Sequence, residues 1–167
     1  MIVFKSDLQN HLSNLNAKKE SKNTTNYILS YLTQNTITPI GFYGMLENNQ
    51  IENILSIKKA LINLFIDIKL EILDAIGYLT EDHLQDLNKL KILFQINEQE
   101  LLSYKTYEIQ DIITQQISTL ENKCKNNGLD IMKNLNSLKR LLGIPTPELN
   151  MTLDTNLYTN SMTEVVI

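Results

Sequence analysis

Residues 51–76 place apolar side chains around most of a helix, and this stretch constrains the fold more than any other part of the sequence. Its apolar residues recur at three- and four-residue spacing, which predicts an α-helix. The arc they cover is wider than a coiled-coil seam, so the helix must contact more than one neighbour. Lysines and acidic residues interrupt the stretch. It therefore does not qualify as a membrane span, which needs about 20 nearly uncharged residues.

A tight chain reversal is predicted directly after this helix. Gly77 suits the left-handed position that ends a helix, and Thr80 suits the N-cap of the next one. The second long helix is expected to run over residues 81–142. Residues 95–99 and 126–128 are its two candidate interruptions.

Together these segments predict an all-α protein built on a long antiparallel helical hairpin. A continuous second helix, rising about 1.5 Å per residue, would carry Asp111 roughly 45 Å from the Thr80 reversal. Such a hairpin cannot cover its own apolar surface. We therefore expect a four-helix bundle completed by homodimerisation.

The chain divides into four parts on this interpretation. Residues 1–35 form an N-terminal helical segment, and residues 36–49 form an apolar loop around Pro39 and two glycines. Residues 50–143 form the hairpin. Residues 144–167 lose helical periodicity and are expected to be a flexible tail, either a partner-docking peptide or an unstructured terminus.

Composition excludes several classes of partner. The net charge is −4, and Arg140 is the only arginine, so a nucleic-acid backbone is an improbable ligand. The single cysteine, Cys124, excludes an intrachain disulfide and fits a reducing cytosol. We expect a cytoplasmic protein without membrane insertion.

The two histidines, His11 and His83, are far apart in the sequence and lack ligand residues at the usual metal-binding spacing. They are predicted to be surface residues, and no metal site is predicted in this chain. Short motifs of nucleotide-binding, serine-hydrolase and zinc-protease families are also absent.

The pair Asp111 and Gln115 is the main candidate site. Residues four apart lie one above the other on a helix, so a carboxylate and a carboxamide would share one face. Tyr107 precedes the pair by one turn and Tyr104 by two turns. Core packing is expected for at least one of these tyrosines, with partner contact as the alternative.

The segment around this pair resembles the signature of the CheZ family of chemotaxis phosphatases. That signature has an apolar residue, Gln-Asp, three residues and Gln, followed closely by Ile. The matching residues are Ile109, Gln110, Asp111, Gln115 and Ile117. The order of an N-terminal helix, a long hairpin, a proline-containing linker and a tail is also similar to that family.

The resemblance implies a protein phosphatase that speeds loss of phosphate from the aspartyl-phosphate of a CheY-type response regulator. Gln115 would hold the attacking water, and Asp111 would bind the regulator's active-site lysine. The regulator would supply Mg²⁺, and this chain would bind no cofactor. Gln110, Tyr107 and Thr114 would complete the contact with the partner.

Two non-catalytic functions remain open from the sequence. One is a small helical chaperone for export of flagellar or secretion-system subunits. The other is a structural coiled-coil adaptor. The chaperone fits an acidic, helical chain without catalytic motifs, whereas the wide apolar arc over residues 51–76 argues against a strict two-stranded coiled coil.

Overall fold

The computed structural model describes residues 1–18, 24–34, 36–123 and 128–144. Within these ranges the protein is all-helical, as predicted, apart from one isolated bridge between Ile2 and Ile37. The described α-helices are α1 (Leu8–Lys18), α2 (Thr24–Leu32), α3 (Pro39–Asn48), α4 (Lys58–Ile76), α5 (Glu81–Leu93), α6 (Glu98–Lys123) and α7 (Gly128–Leu142), and a 3₁₀ turn (Ile54–Ile57) precedes α4.

Helix α4 lies at the centre of the core. Its buried residues include Leu61, Leu64, Phe65, Ile68 and Ile72, and it contacts α1, α2, α5 and α6. The prediction that this helix needs several neighbours is confirmed. Those neighbours come from the same chain, so the apolar surface that motivated a homodimeric bundle is covered within one molecule. Homodimerisation stays a prediction. No helix in the described ranges is long and apolar enough to cross a bilayer.

The reversal between α4 and α5 forms as predicted. Gly77 adopts φ 84° and donates its N–H to the carbonyl of Leu73 at 2.7 Å. The Thr80 hydroxyl accepts from the backbone N–H of His83 at 3.2 Å, which caps α5. Local sequence signals are sufficient for this turn.

The prediction of a continuous second helix is wrong, and the predicted interruption at residues 95–99 is present. Helix α5 ends at Leu93, Gln95 takes a left-handed φ of 53°, and α6 starts at Glu98. The Lys58 ammonium donates to the carbonyl of Gln95 at 2.6 Å, which ties this turn to the start of α4. Helix α6 then runs back towards the Gly77 reversal, so the long two-helix hairpin does not form. Residues 124–127, which include Cys124, lie outside the described residues.

The predicted loop over residues 36–49 is also wrong, because residues 39–48 form α3. Thr38 is its N-cap, with a side chain that accepts from the N–H of Gly41 at 3.0 Å, and Pro39 occupies the first turn. Proline is favourable there because its missing N–H would have no partner anyway. At the other end of the chain α7 stops at Leu142, where Gly143 has φ 68°. Apart from Ile144, the predicted tail over residues 144–167 lies outside the described residues.

Candidate functional site

Helix α6 has a sharp division between a buried and an exposed face. Lys105 departs from helical geometry (φ −139°, ψ 37°) and separates a short first part from the longer second part. The inward residues of that second part are Ile109, Ile112, Ile113, Gln116, Ile117 and Leu120. All five residues predicted to form the site are exposed: Tyr107, Gln110, Asp111, Thr114 and Gln115.

A buried amide fixes the rotation of α6. The Gln116 side chain accepts from the N–H of Leu79 at 2.6 Å and donates to its carbonyl at 2.8 Å. Asn134 on α7 accepts from Gln116 at 2.6 Å and donates to the Leu79 carbonyl at 3.0 Å. With residue 116 and the inward isoleucines on one side of the helix, residues 111 and 115 project outwards on the other side.

The fold brings Asp111 and Gln115 to an unexpected place. Gln116 touches Leu79, so the site lies beside the α4–α5 reversal and not about 45 Å away. The reason is the turn at Gln95, which returns α6 along the bundle. The site therefore stands at the end of a compact helical body.

The tyrosines of α6 do not pack in the core. Tyr104 is 52% exposed, and Tyr107 is 81% exposed. The Lys59 ammonium lies 5.5 Å from the centre of the Tyr104 ring. The expectation of core packing for one of the two is wrong, and Tyr107 is free to contact a partner.

One ion pair borders the exposed face. Lys105 donates to Glu108 at 2.7 Å. That hydrogen bond lowers the pKa of the Glu108 carboxyl. The pair lies one turn before Asp111 and places a carboxylate on the same half of the helix.

No known protein family, curated protein or solved structure matches this chain. The resemblance in α6 is therefore carried by the residues quoted above and by no wider similarity.

Sequence reasoning missed a second group of residues, which surrounds the two histidines. His11 is 5% exposed and His83 is 3% exposed, so the prediction of surface histidines is wrong. They meet Asp7, which lies just before α1: His83 Nε2 is 2.7 Å from one oxygen of Asp7, and His11 Nε2 is 3.5 Å from the other. A hydrogen bond with His83 lowers the pKa of Asp7.

Part of this cluster was visible in the sequence. Asp7 and His11 are four residues apart, a spacing that aligns them on one helix face. His83 joins them only because the start of α5 packs beside the start of α1. Tertiary packing of this kind leaves no local signal.

A buried lysine was also missed. Lys69 on α4 is fully buried, and its ammonium donates to the carbonyl of Phe65 at 3.0 Å. Burial, assisted by the positive charge of Lys91, lowers the pKa of Lys69 well below its ordinary value. The sequence showed this residue only as an interruption of the apolar arc.

Proposed function

We propose that this chain is a protein phosphatase similar to CheZ, which acts on the aspartyl-phosphate of a CheY-type response regulator. One observation carries the proposal: Asp111 and Gln115 are both exposed, one turn apart, on a helix whose rotation is fixed by Gln116. The proposal needs the exposed face of α6 to enter a partner's site. It does not need the long hairpin, which this fold lacks.

Gln115 has the chemistry to position a water. Its carbonyl oxygen accepts from the water while its amide donates to a phosphoryl oxygen. Phosphoryl transfer passes through a loose transition state, so correct placement of the nucleophile supplies much of the assistance that a side chain can give. A neutral amide is better than a carboxylate here because it does not repel the phosphoryl oxygens.

Asp111 provides the register between the two proteins. Its carboxylate would pair with the lysine of the regulator's active site and so place Gln115 beside the phosphorus. The regulator brings Mg²⁺, which neutralises phosphoryl charge, and the α6 face supplies no metal ligand set for this reaction. Tyr107, Gln110 and Thr114 flank the pair and would contact the regulator's surface.

A non-catalytic binding protein, such as an export chaperone or adaptor, is the second candidate function. The exposure of Tyr107 favours it, because a protruding tyrosine is a typical anchor of protein interfaces. The same α6 face would then bind a partner without turnover.

Release of phosphate separates the two functions. The full chain is added to phosphorylated CheY-type receiver domains with Mg²⁺, and phosphate release is followed alongside binding of the receiver. The phosphatase proposal expects release faster than the receiver's own rate. Binding with no change in that rate contradicts the phosphatase and supports the binding protein. If the chain does not bind the receiver and does not speed phosphate release, a receiver domain is not its partner.

A further inference from the structure

Asp7, His11 and His83 form a group of metal-ligand atoms where the start of α5 meets the start of α1. One carboxylate oxygen and one nitrogen from each ring lie within 4.8 Å of one another. Asp7 lies just before α1, His11 lies in the first turn of α1 and His83 lies in the first turn of α5. The group is separate from the α6 face.

His11 is the residue whose environment calls for a ligand. Its side chain is buried, with 5% exposure, yet neither ring nitrogen has a hydrogen-bond partner. Its Nε2 lies 3.5 Å from Asp7 and the centre of its ring lies 5.8 Å from that of His83. A buried imidazole without hydrogen bonds is unfavourable. A ligand bound to this group would satisfy one of its nitrogens.

We propose that Asp7, His11 and His83 bind a divalent transition-metal ion of the zinc type. Two imidazoles and one carboxylate are a common ligand set for such ions, with a water in the remaining position. Ligand atoms around a tetrahedral zinc ion stand about 3.3 Å apart at bond lengths of about 2.0–2.1 Å. His83 Nε2 is 2.7 Å from one Asp7 oxygen and His11 Nε2 is 3.5 Å from the other, so small side-chain shifts would bring one atom of each residue to that spacing.

The surroundings of His83 fit a metal ligand. Its Nδ1 accepts from the backbone N–H of Thr80 at 3.3 Å and lies 2.7 Å from the Thr80 hydroxyl. Binding of an ion at Nε2 would move the ring proton to Nδ1, which would then donate to that hydroxyl in place of accepting from the backbone N–H.

The position of Asp7 is supported and accessible. Asp86 is fully buried and accepts hydrogen bonds from the backbone N–H groups of Lys5 and Ser6, each at 2.8 Å, which holds the chain immediately before Asp7. The Asp7 side chain itself is 52% exposed. An ion can therefore enter from solvent, and a water can complete its coordination.

Zinc titration of the full, tag-free chain tests this proposal. We expect calorimetry to give one Zn²⁺ per chain. Co²⁺ should show the visible absorption bands of an ion in a low-symmetry coordination site. The melting temperature should be higher when Zn²⁺ is present. Asp7→Asn keeps a side chain able to bond His83, and His11→Phe keeps a ring of similar shape. Both should lower Zn²⁺ affinity at least tenfold. Asp82→Asn, an exposed acid in the same helical turn as His83, should bind like the wild type.

The two variants also separate metal binding from a structural role. Because His11 makes no hydrogen bond, His11→Phe should leave the metal-free melting temperature equal or higher while it removes the increase caused by Zn²⁺. The proposal is overturned if the wild type shows no saturable one-to-one binding. It is equally overturned if Asp7→Asn and His11→Phe bind Zn²⁺ as tightly as the wild type.

Discussion

The side chain of Gln116 forms hydrogen bonds with both backbone groups of Leu79, at 2.6 and 2.8 Å, although the two residues are 37 positions apart. This amide takes the place of a backbone partner for the turn between α4 and α5. It joins α6 to that turn, and Asn134 extends the connection to α7. Gln115 is exposed because Gln116 and the inward isoleucines of α6 together set the rotation of the helix, which leaves residues 111 and 115 on its opposite side.

Replacing this amide should destabilise the fold. Gln116→Leu leaves the buried N–H of Leu79 without an acceptor, so we expect a loss of about 1–3 kcal/mol in the free energy of unfolding. Urea unfolding followed by far-ultraviolet circular dichroism measures it. Gln115→Leu is the matched control and should stay within about 0.5 kcal/mol of wild type. Equal stability of the two variants would show that the amide network does not hold α6.

Asp111→Ala should weaken binding to a phosphorylated receiver domain, by about tenfold or more, because the regulator's lysine loses its partner. Fluorescence anisotropy with a labelled receiver gives the affinity. Asp82→Ala, which removes an exposed acid from α5, controls for the change in net charge. If both variants bind the receiver like the wild type, Asp111 has no part in docking.

Lys69→Met should raise the free energy of unfolding at pH 7 by about 1–3 kcal/mol, because a buried amine is replaced by an apolar side chain of similar length. Lys59→Met, an exposed change on the same helix, should have an effect within about 0.5 kcal/mol. Urea unfolding at pH 7 compares them. A Lys69→Met protein less stable than the wild type would mean that the ammonium contributes more than its burial costs.

The pH dependence of the same variant has a definite sign. The folded pKa of Lys69 lies below 10.5, the ordinary value. Between these two values the unfolded chain binds more protons than the folded chain, so the free energy of unfolding rises with pH across that interval. Lys69→Met removes this contribution. Its alkaline stability profile should be flatter than that of the wild type, and an unchanged slope would contradict the assignment.

Local signals account for the parts of the fold that the sequence predicts. Gly77 and Thr80 end α4 and begin α5 as expected, since the left-handed position and the N-cap depend on residue type alone. The turn at Gln95 contains no glycine or proline, so the sequence pattern is compatible both with a continuous helix and with an interruption at this point. In the fold, the hydrogen bond from the Lys58 ammonium to the Gln95 carbonyl stabilises the interruption.

For the candidate site too, the sequence predicts the local features, and the tertiary features cannot be read from it. The periodicity of α6 was enough to propose that Asp111 and Gln115 share an outer face. Their place beside Leu79 depends on the return of α6, which is a tertiary feature. The meeting of His83 with His11 likewise depends on two helices that are distant in sequence, and charge or spacing could not predict it.

The rate of phosphate loss from a phosphorylated CheY-type receiver, measured with wild type and with Gln115→Ala, tests the central claim most directly. We expect the wild type to accelerate the loss and Gln115→Ala to return it to the receiver's own rate, with unchanged helical content and nearly normal binding. Gln99→Ala, which alters an exposed glutamine at the start of α6, should retain full activity. A Gln115→Ala protein that accelerates phosphate loss as the wild type does would contradict the role assigned to Gln115.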